Sequence, residues 1–100
     1  MAQDRVLSMI GLAKRAGAAS IGESMCSSAI KSGRSGLVII ACDASDNTKK
    51  SIKNSCEYYN VKYVEYSDKS GIGGICGLNS VAAVSVNDDN FVKGITEKLG

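Results

Sequence analysis

One stretch limits what this chain can fold into more than any other: Leu37-Val38-Ile39-Ile40-Ala41-Cys42-Asp43. Apolar and small residues run together there and stop at an acid, between Gly36 on one side and the polar Asp43-Ala44-Ser45-Asp46-Asn47 on the other. A short unbroken apolar run with such ends predicts a strand buried on both faces. Strands of that kind lie in the middle of α/β sheets with helices on either side, and ligands meet these folds at the strand ends and the loops that leave them. Asp43 is thus the first position around which to look for a site.

The flanking segments supply the helices. Val6, Ile10, Ala13 and Gly17 fall on one face of a predicted helix over residues 4–17. Gly17 suits the left-handed position after the helix, and Lys14 and Arg15 complement its negative end. Those two cations have an ordinary role there, and a functional one as phosphate contacts beside the next loop. A brief strand over 18–21 leads to Gly22-Glu23-Ser24, which opens a second helix reaching Ser32, with Met25 and Ala29 expected inward along with Cys26 and Ile30. Its exposed N–H groups attract anions, while Glu23 competes for the same positive end. After Asp43, itself expected to cap the third helix, Ala44-Ser45-Asp46-Asn47 supplies several further possible N-caps, and Thr48, Ile52, Cys56 and Tyr59 form an apolar stripe, which assigns Tyr59 to the core rather than to base stacking. A strand over 61–66, a short glycine-rich helix carrying Ile72, Ile75 and Cys76, a strand over 81–86 and a last helix carrying Phe91, Ile95 and Leu99 complete the chain. A helix followed by four strand–helix alternations predicts a three-layer α/β/α sandwich, one domain over residues 1–100.

Composition narrows the function. With 44% hydrophobic and 22% charged residues the chain is that of a globular domain. Cys26, Cys42, Cys56 and Cys76 form no Cys-x-x-Cys pair and histidine is absent, so the usual zinc spacing is missing and all four thiols are expected in the core. The same lack of histidine removes Ser/His and Cys/His catalytic pairs, and the adjacent Asp88 and Asp89 cannot flank a substrate from two sides. Gly71-x-Gly73-x-x-x-Gly77 sits in the wrong context for a dinucleotide fingerprint, with too short a helix after it. The sequence gives no positive sign of catalysis. No apolar run reaches membrane-spanning length and the opening Met1-Ala2-Gln3-Asp4 lacks a leader pattern, so a cytoplasmic protein is expected. Residues 1–53 hold eight Lys/Arg against four Asp/Glu, and residues 54–100 hold four against six. That basic bias is compatible with phosphate contact.

The whole pattern resembles the kink-turn-binding ribosomal-protein family of the large-subunit proteins L-seven-Ae and L-thirty-e, in particular its small bacterial YlxQ-like branch. The resemblance is carried by Leu12-Ala13-Lys14-Arg15-Ala16-Gly17, Gly22-Glu23, the run through Asp43 with Ala44-Ser45, Cys56-x-x-Tyr59-x-Val61-x-Tyr63, and Lys69-x-x-Ile72-Gly73-x-x-Cys76-Gly77. It implies a mixed four-stranded sheet and a non-catalytic, cofactor-free protein that binds structured RNA, a kink turn or ribosomal RNA, with the ribosome as a candidate partner, rather than DNA or membranes. The family's Gly-x-Asn-Glu-x-x-Lys segment falls on Gly22 through Ser28. Gly22 is kept, Ser24 stands for the Asn, Met25 for the Glu and Ser28 for the Lys. A methionine accepts no base N–H and a serine brings no charge to a phosphate. The resemblance further implies phosphate contacts at Lys14, Arg15, Lys31 and Lys69, an acidic loop at Asp43 and Ser45, and an approach to the bend by Gly77-Leu78-Asn79-Ser80. Leu78 either packs on an extruded base or covers the core's edge. The alternative function is a protein-interaction module that keeps the fold and has lost RNA recognition.

Overall fold

A computed structural model describes residues 4–99. The opening Met1-Ala2-Gln3, read above as lacking a leader, and the final Gly100 lie outside them. The order is α1 (Arg5–Arg15), β1 (Ala19–Ile21), α2 (Glu23–Lys31), β2 (Leu37–Ile40), α3 (Asp46–Tyr58), β3 (Lys62–Glu65), α4 (Lys69–Ile75), β4 (Ala83–Val86) and α5 (Asp89–Leu99). The sheet runs β1-β4-β2-β3. β2 pairs in parallel with β3, and β4 runs antiparallel to both β1 and β2. This is the expected mixed four-stranded sheet. α2 packs beside α3, and α1 packs on both α4 and α5, so the sheet lies between two helical layers.

β2 owes its place to its sequence. All four of its residues are buried, as are all four of β4, so the two interior strands are the apolar ones. The strand stops at Ile40, earlier than the apolar run, because Cys42 turns away to donate its N–H to the Ser67 carbonyl at 2.8 Å. The core gathers Val6 and Ile10 from α1, Cys26 and Ile30 from α2, Ile52 and Cys56 from α3, Ile72 from α4 and Ile95 from α5 around the two strands. Ser85, which is fully buried, is joined to Ser35 at 2.7 Å and to Asn87 at 2.6 Å, and Asn87 donates on to Ser20 at 2.9 Å. This network satisfies the polar groups buried at the β1–β4 pair.

Several expectations need correction. Met25 points outward and is 54% exposed, because α2 begins at Glu23 and the phase set there turns Cys26, Ala29 and Ile30 inward. Tyr59 is the C-cap of α3 and is 43% exposed, and only Ile52 and Cys56 of that helix are buried. Cys42 is exposed, since it lies beyond the strand's end, while Cys26, Cys56 and Cys76 are buried as expected. Asp43 does not cap α3. Ser45 does, accepting from the Thr48 N–H at 3.2 Å, and Asp43 instead accepts the Lys69 N–H of α4 at 2.8 Å.

Gly73 of α4 has a packing role. A Cβ on Gly73 would stand 2.8 Å from the Ser80 nitrogen. The chain after α4 turns at Gly77 (φ +75), and Leu78 N–H donates to the Gly73 carbonyl at 2.7 Å. Val81 N–H then donates to the Lys69 carbonyl at 3.0 Å, so the loop runs back along the helix to its start.

Candidate nucleic-acid interface

The pairing pattern gives β1, β2 and β3 one direction and β4 the other. The carboxyl ends of three strands therefore share one edge of the sheet with the start of β4. α2, α3 and α4 follow those three strands, so three helix N-termini open at this edge. Short backbone bonds hold it together. Gly22 N–H donates to Ala83 at 2.9 Å, Ala41 N–H to Ala82 at 2.8 Å, and Tyr66 N–H to Ile40 at 2.9 Å.

Side chains complete the join. Asp43 fastens the loop after β2 to the first residue of α4. Ser45 donates its hydroxyl to Thr48 Oγ1 at 2.9 Å, and Thr48 donates in turn to Glu23 Oε1 at 3.0 Å. That relay ends on a carboxylate and ties the first turn of α3 to that of α2. Thr48 was read only as a stripe residue in the sequence. Its tie to Glu23 spans 25 positions, and no local spacing announces it.

The five helix starts differ in one respect. Asp4, Ser45, Asp68 and Asp88 each accept an N–H from the first turn of α1, α3, α4 and α5. The N-cap of α2 is Gly22, which has no side chain to offer and makes no cap bond. Its backbone sits at φ +98, a conformation that costs a side-chain-bearing residue more than it costs glycine. The first N–H groups of α2 are thus left to whatever meets the surface, with Glu23 drawn aside toward Thr48. Ser24 and Met25 are exposed beside them.

Gly22, Glu23, Ser24, Asp43 and Lys69 are brought to one edge. Gly77, Leu78 and Asn79 lie on the loop that returns to it along α4, with Leu78 48% exposed rather than covering the core. Lys14 stands close enough to Cys76, at the end of α4, for its charge to pull the thiol's pKa down against the larger upward push of burial. Lys14 is therefore beside the root of that loop. Arg15 is exposed at the end of α1, apart from the edge. Ser28 and Lys31 continue away from Ser24 along an open groove on α2, lined also by Ser27 and Ser32. Lys31 is eight residues past Glu23, about 12 Å along the axis at the usual helical rise.

The charges at the edge are mixed. Glu23, Asp43, Asp46 and Asp68 lie among Lys49, Lys50 and Lys69. Lys49 is committed: it and Lys53 clasp Glu65 at 3.0 and 2.6 Å, and hydrogen bonds from the two ammonium groups, Lys53 first, lower the Glu65 pKa. Among the described residues no group of three His, Cys, Asp or Glu is placed to hold a metal ion.

The chain is similar to two curated bacterial proteins named RNA-binding protein YlxQ. That of Bacillus subtilis is 32% identical over 91 residues, covering 91% of each chain. That of Enterococcus faecium is 32% identical over 97 residues, covering 97% of this chain and 93% of the relative. In fold it is similar to a protein of unknown function from Bacillus halodurans, with a TM-score of 0.91 at 27% identity over 97% of this chain and 98% of that one. It also has the fold of a Giardia lamblia 15.5 kD RNA binding protein, with a TM-score of 0.80 at 23% identity over 100% of this chain and 89% of the other. The family model of the ribosomal protein L7Ae/L30e/S12e/Gadd45 family matches residues 4–95, nearly the whole described chain, and the protein belongs to that family.

Proposed function

We propose that this protein binds structured RNA, without catalysis, through the edge where α2, α3 and α4 begin, and that the RNA feature it takes is the sharp bend of a kinked duplex. The observation that carries this reading is the uncapped start of α2. Four helices carry an acceptor side chain at their N-termini, and the one that does not opens on the edge that Asp43, Lys69 and the Leu78 loop also border. Backbone N–H groups in that setting suit a phosphate or a base edge. Lys69 supplies charge beside them, and exposed Leu78 supplies an apolar surface for an unstacked nucleotide. Ribosomal RNA is one source of such bends, and the names of the YlxQ relatives support RNA as the partner.

A second reading is favoured by one observation. Met25 and Leu78 are exposed apolar side chains on this surface, which also suits a protein partner. Electrophoretic titration separates the two. The expected result is tighter binding to a kink-turn duplex than to an unkinked duplex of the same length. Equal affinity for both would remove the kink-specific claim. Absence of RNA binding, with capture of an RNA-processing protein that survives nuclease treatment, would establish the protein-interaction reading instead.

A further inference from the structure

The opposite edge of the sheet, where β2 and β3 begin and α2 and α3 end, has a different character. Its most exposed large hydrophobic side chain is Tyr58, at 79%, beside Tyr59 at 43%. Their rings meet edge to face, with centroids 4.8 Å apart and planes at 74°. Position along the apolar stripe had assigned Tyr59 to the core, and the structure removes the ground for that, since Ile52 and Cys56 alone fill the buried face of α3. The tyrosines therefore form an aromatic face open to solvent.

The charges around this face are largely cationic. Lys31 ends α2, and Arg34 lies in the turn after it with its Nε donating to Ser32 Oγ at 2.9 Å. Both are exposed. On the same side of the sheet the carboxylate is Glu57, which accepts the Tyr63 hydroxyl at 2.8 Å. Across the sheet at this edge Lys14 and Arg15 end α1, opposite Asp88 and Asp89 at the start of α5. Solvent-exposed aromatic rings flanked by Lys and Arg are the grammar of single-stranded nucleic-acid contact: every base has a π-face to stack, and the cations follow the phosphates.

We propose that this edge is a second contact surface, on which a base of single-stranded RNA stacks against the Tyr58–Tyr59 pair while Lys31 and Arg34 meet the flanking phosphates. The inference rests on RNA being the partner, and it assigns the unpaired strand leaving a structured element to a face remote from the bend.

The test is a titration of the full chain with an oligouridylate of about ten nucleotides, within the range a small single-strand site covers. The chain has no tryptophan and four tyrosines, so tyrosine emission reports directly on the rings. Binding is expected to quench it. The Tyr58→Ala, Tyr59→Ala double variant is expected to weaken oligouridylate binding about tenfold or more, as loss of base stacking does, and to bind the kinked duplex as before. The corresponding double phenylalanine variant keeps the ring faces and is expected to bind oligouridylate normally. Arg34→Glu, which leaves both rings in place, is expected to weaken it several-fold. Failure of the unaltered chain to bind oligouridylate, or unchanged binding in either the double alanine or the Arg34→Glu variant, overturns the proposal. Equal binding of kinked and unkinked duplexes bears on the first edge alone, so the two readings fail separately.

Discussion

Asp43 fastens one loop to another with a single carboxylate. Its oxygen holds the Lys69 N–H, an orphan donor at the start of α4, and so sets the loop after β2 against the helix whose exit loop carries Leu78. Asp43→Ala is expected to cost about 1 kcal/mol in chemical denaturation, the usual scale for a lost side-chain bond to a helix N-terminus. Asp43→Asn keeps an oxygen acceptor and is expected to lose less than half of that; equal losses would show that charge and not the hydrogen bond matters. The thiols make a second residue-scale case. Cys42 is exposed and the other three are buried, so an aromatic disulfide reagent at neutral pH should label one thiol quickly and four only in denaturant. Fast labelling of two or more would contradict the packing. Burial raises the Cys26 pKa from 9.0 to about 12 and the Cys56 pKa from 9.0 to about 11. The folded state therefore holds these protons more tightly than the unfolded chain. The stability they contribute is complete below pH 9 and is lost as the unfolded thiols ionise above it. The melting temperature should fall between pH 9 and 11, and replacing Cys26 with Ala should flatten that fall.

Helices and strands decide which residues reach the edge, and adjacent glycines of α4 show how. Gly73 lies under the returning loop, where a Cβ would strike the Asn79–Ser80 backbone at 2.8–2.9 Å, whereas nothing stands within 4 Å of the position a Cβ would take on Gly74. Gly73→Ala must push backbone aside and should destabilise by about 1–3 kcal/mol. Gly74→Ala meets open space and should stabilise by up to about 1 kcal/mol through helix propensity. Denaturation of the two variants side by side checks this, and a shared sign would refute the packing described. The regular elements were legible in the sequence because their signals are periodic. β2 is a buried run, and α1 carries its stripe and ends before Gly17 at φ +73. Errors came where an element's phase or end is set by tertiary contact. Met25 borders the stripe of Cys26, Ala29 and Ile30 and is turned out at its margin, Tyr59 lies one turn past the last buried member of its stripe, and Asp43 bonds α4 rather than the helix nearest in sequence. Of the candidate site, Gly22, Asp43 and Lys69 were legible as members, but the tie through Thr48 to Glu23 was not, since it links positions that only the sheet brings together.

Taken whole, the molecule has two unlike edges, and a net charge of +2 conceals this. The edge of the helix N-termini mixes acids with lysines, of which Lys49 is held together with Lys53 by Glu65, while the far edge on the α2–α3 side carries Lys31 and Arg34 against Glu57. The kinked-duplex binding proposed for the first edge would therefore draw on few cations. If about three or four phosphates are met, log affinity should fall with log salt at a slope of roughly −2 to −4, at 0.7–0.9 per phosphate. Lys69 is the cation bonded through its own backbone to both Asp43 and Val81, so its place at this edge is fixed. Lys98, in the last turn of α5, borders a separate pocket with Asp4 and Arg5. Lys69→Ala should weaken kinked-duplex binding several-fold and lower the slope by close to one, whereas Lys98→Ala should leave both unchanged. Measured at several salt concentrations, the pair distinguishes a local phosphate contact from a diffuse attraction, for diffuse attraction would make the two variants lose alike. Equal losses would remove Lys69 from the interface, and a slope near zero in the unaltered chain would remove phosphate contact from the first edge altogether.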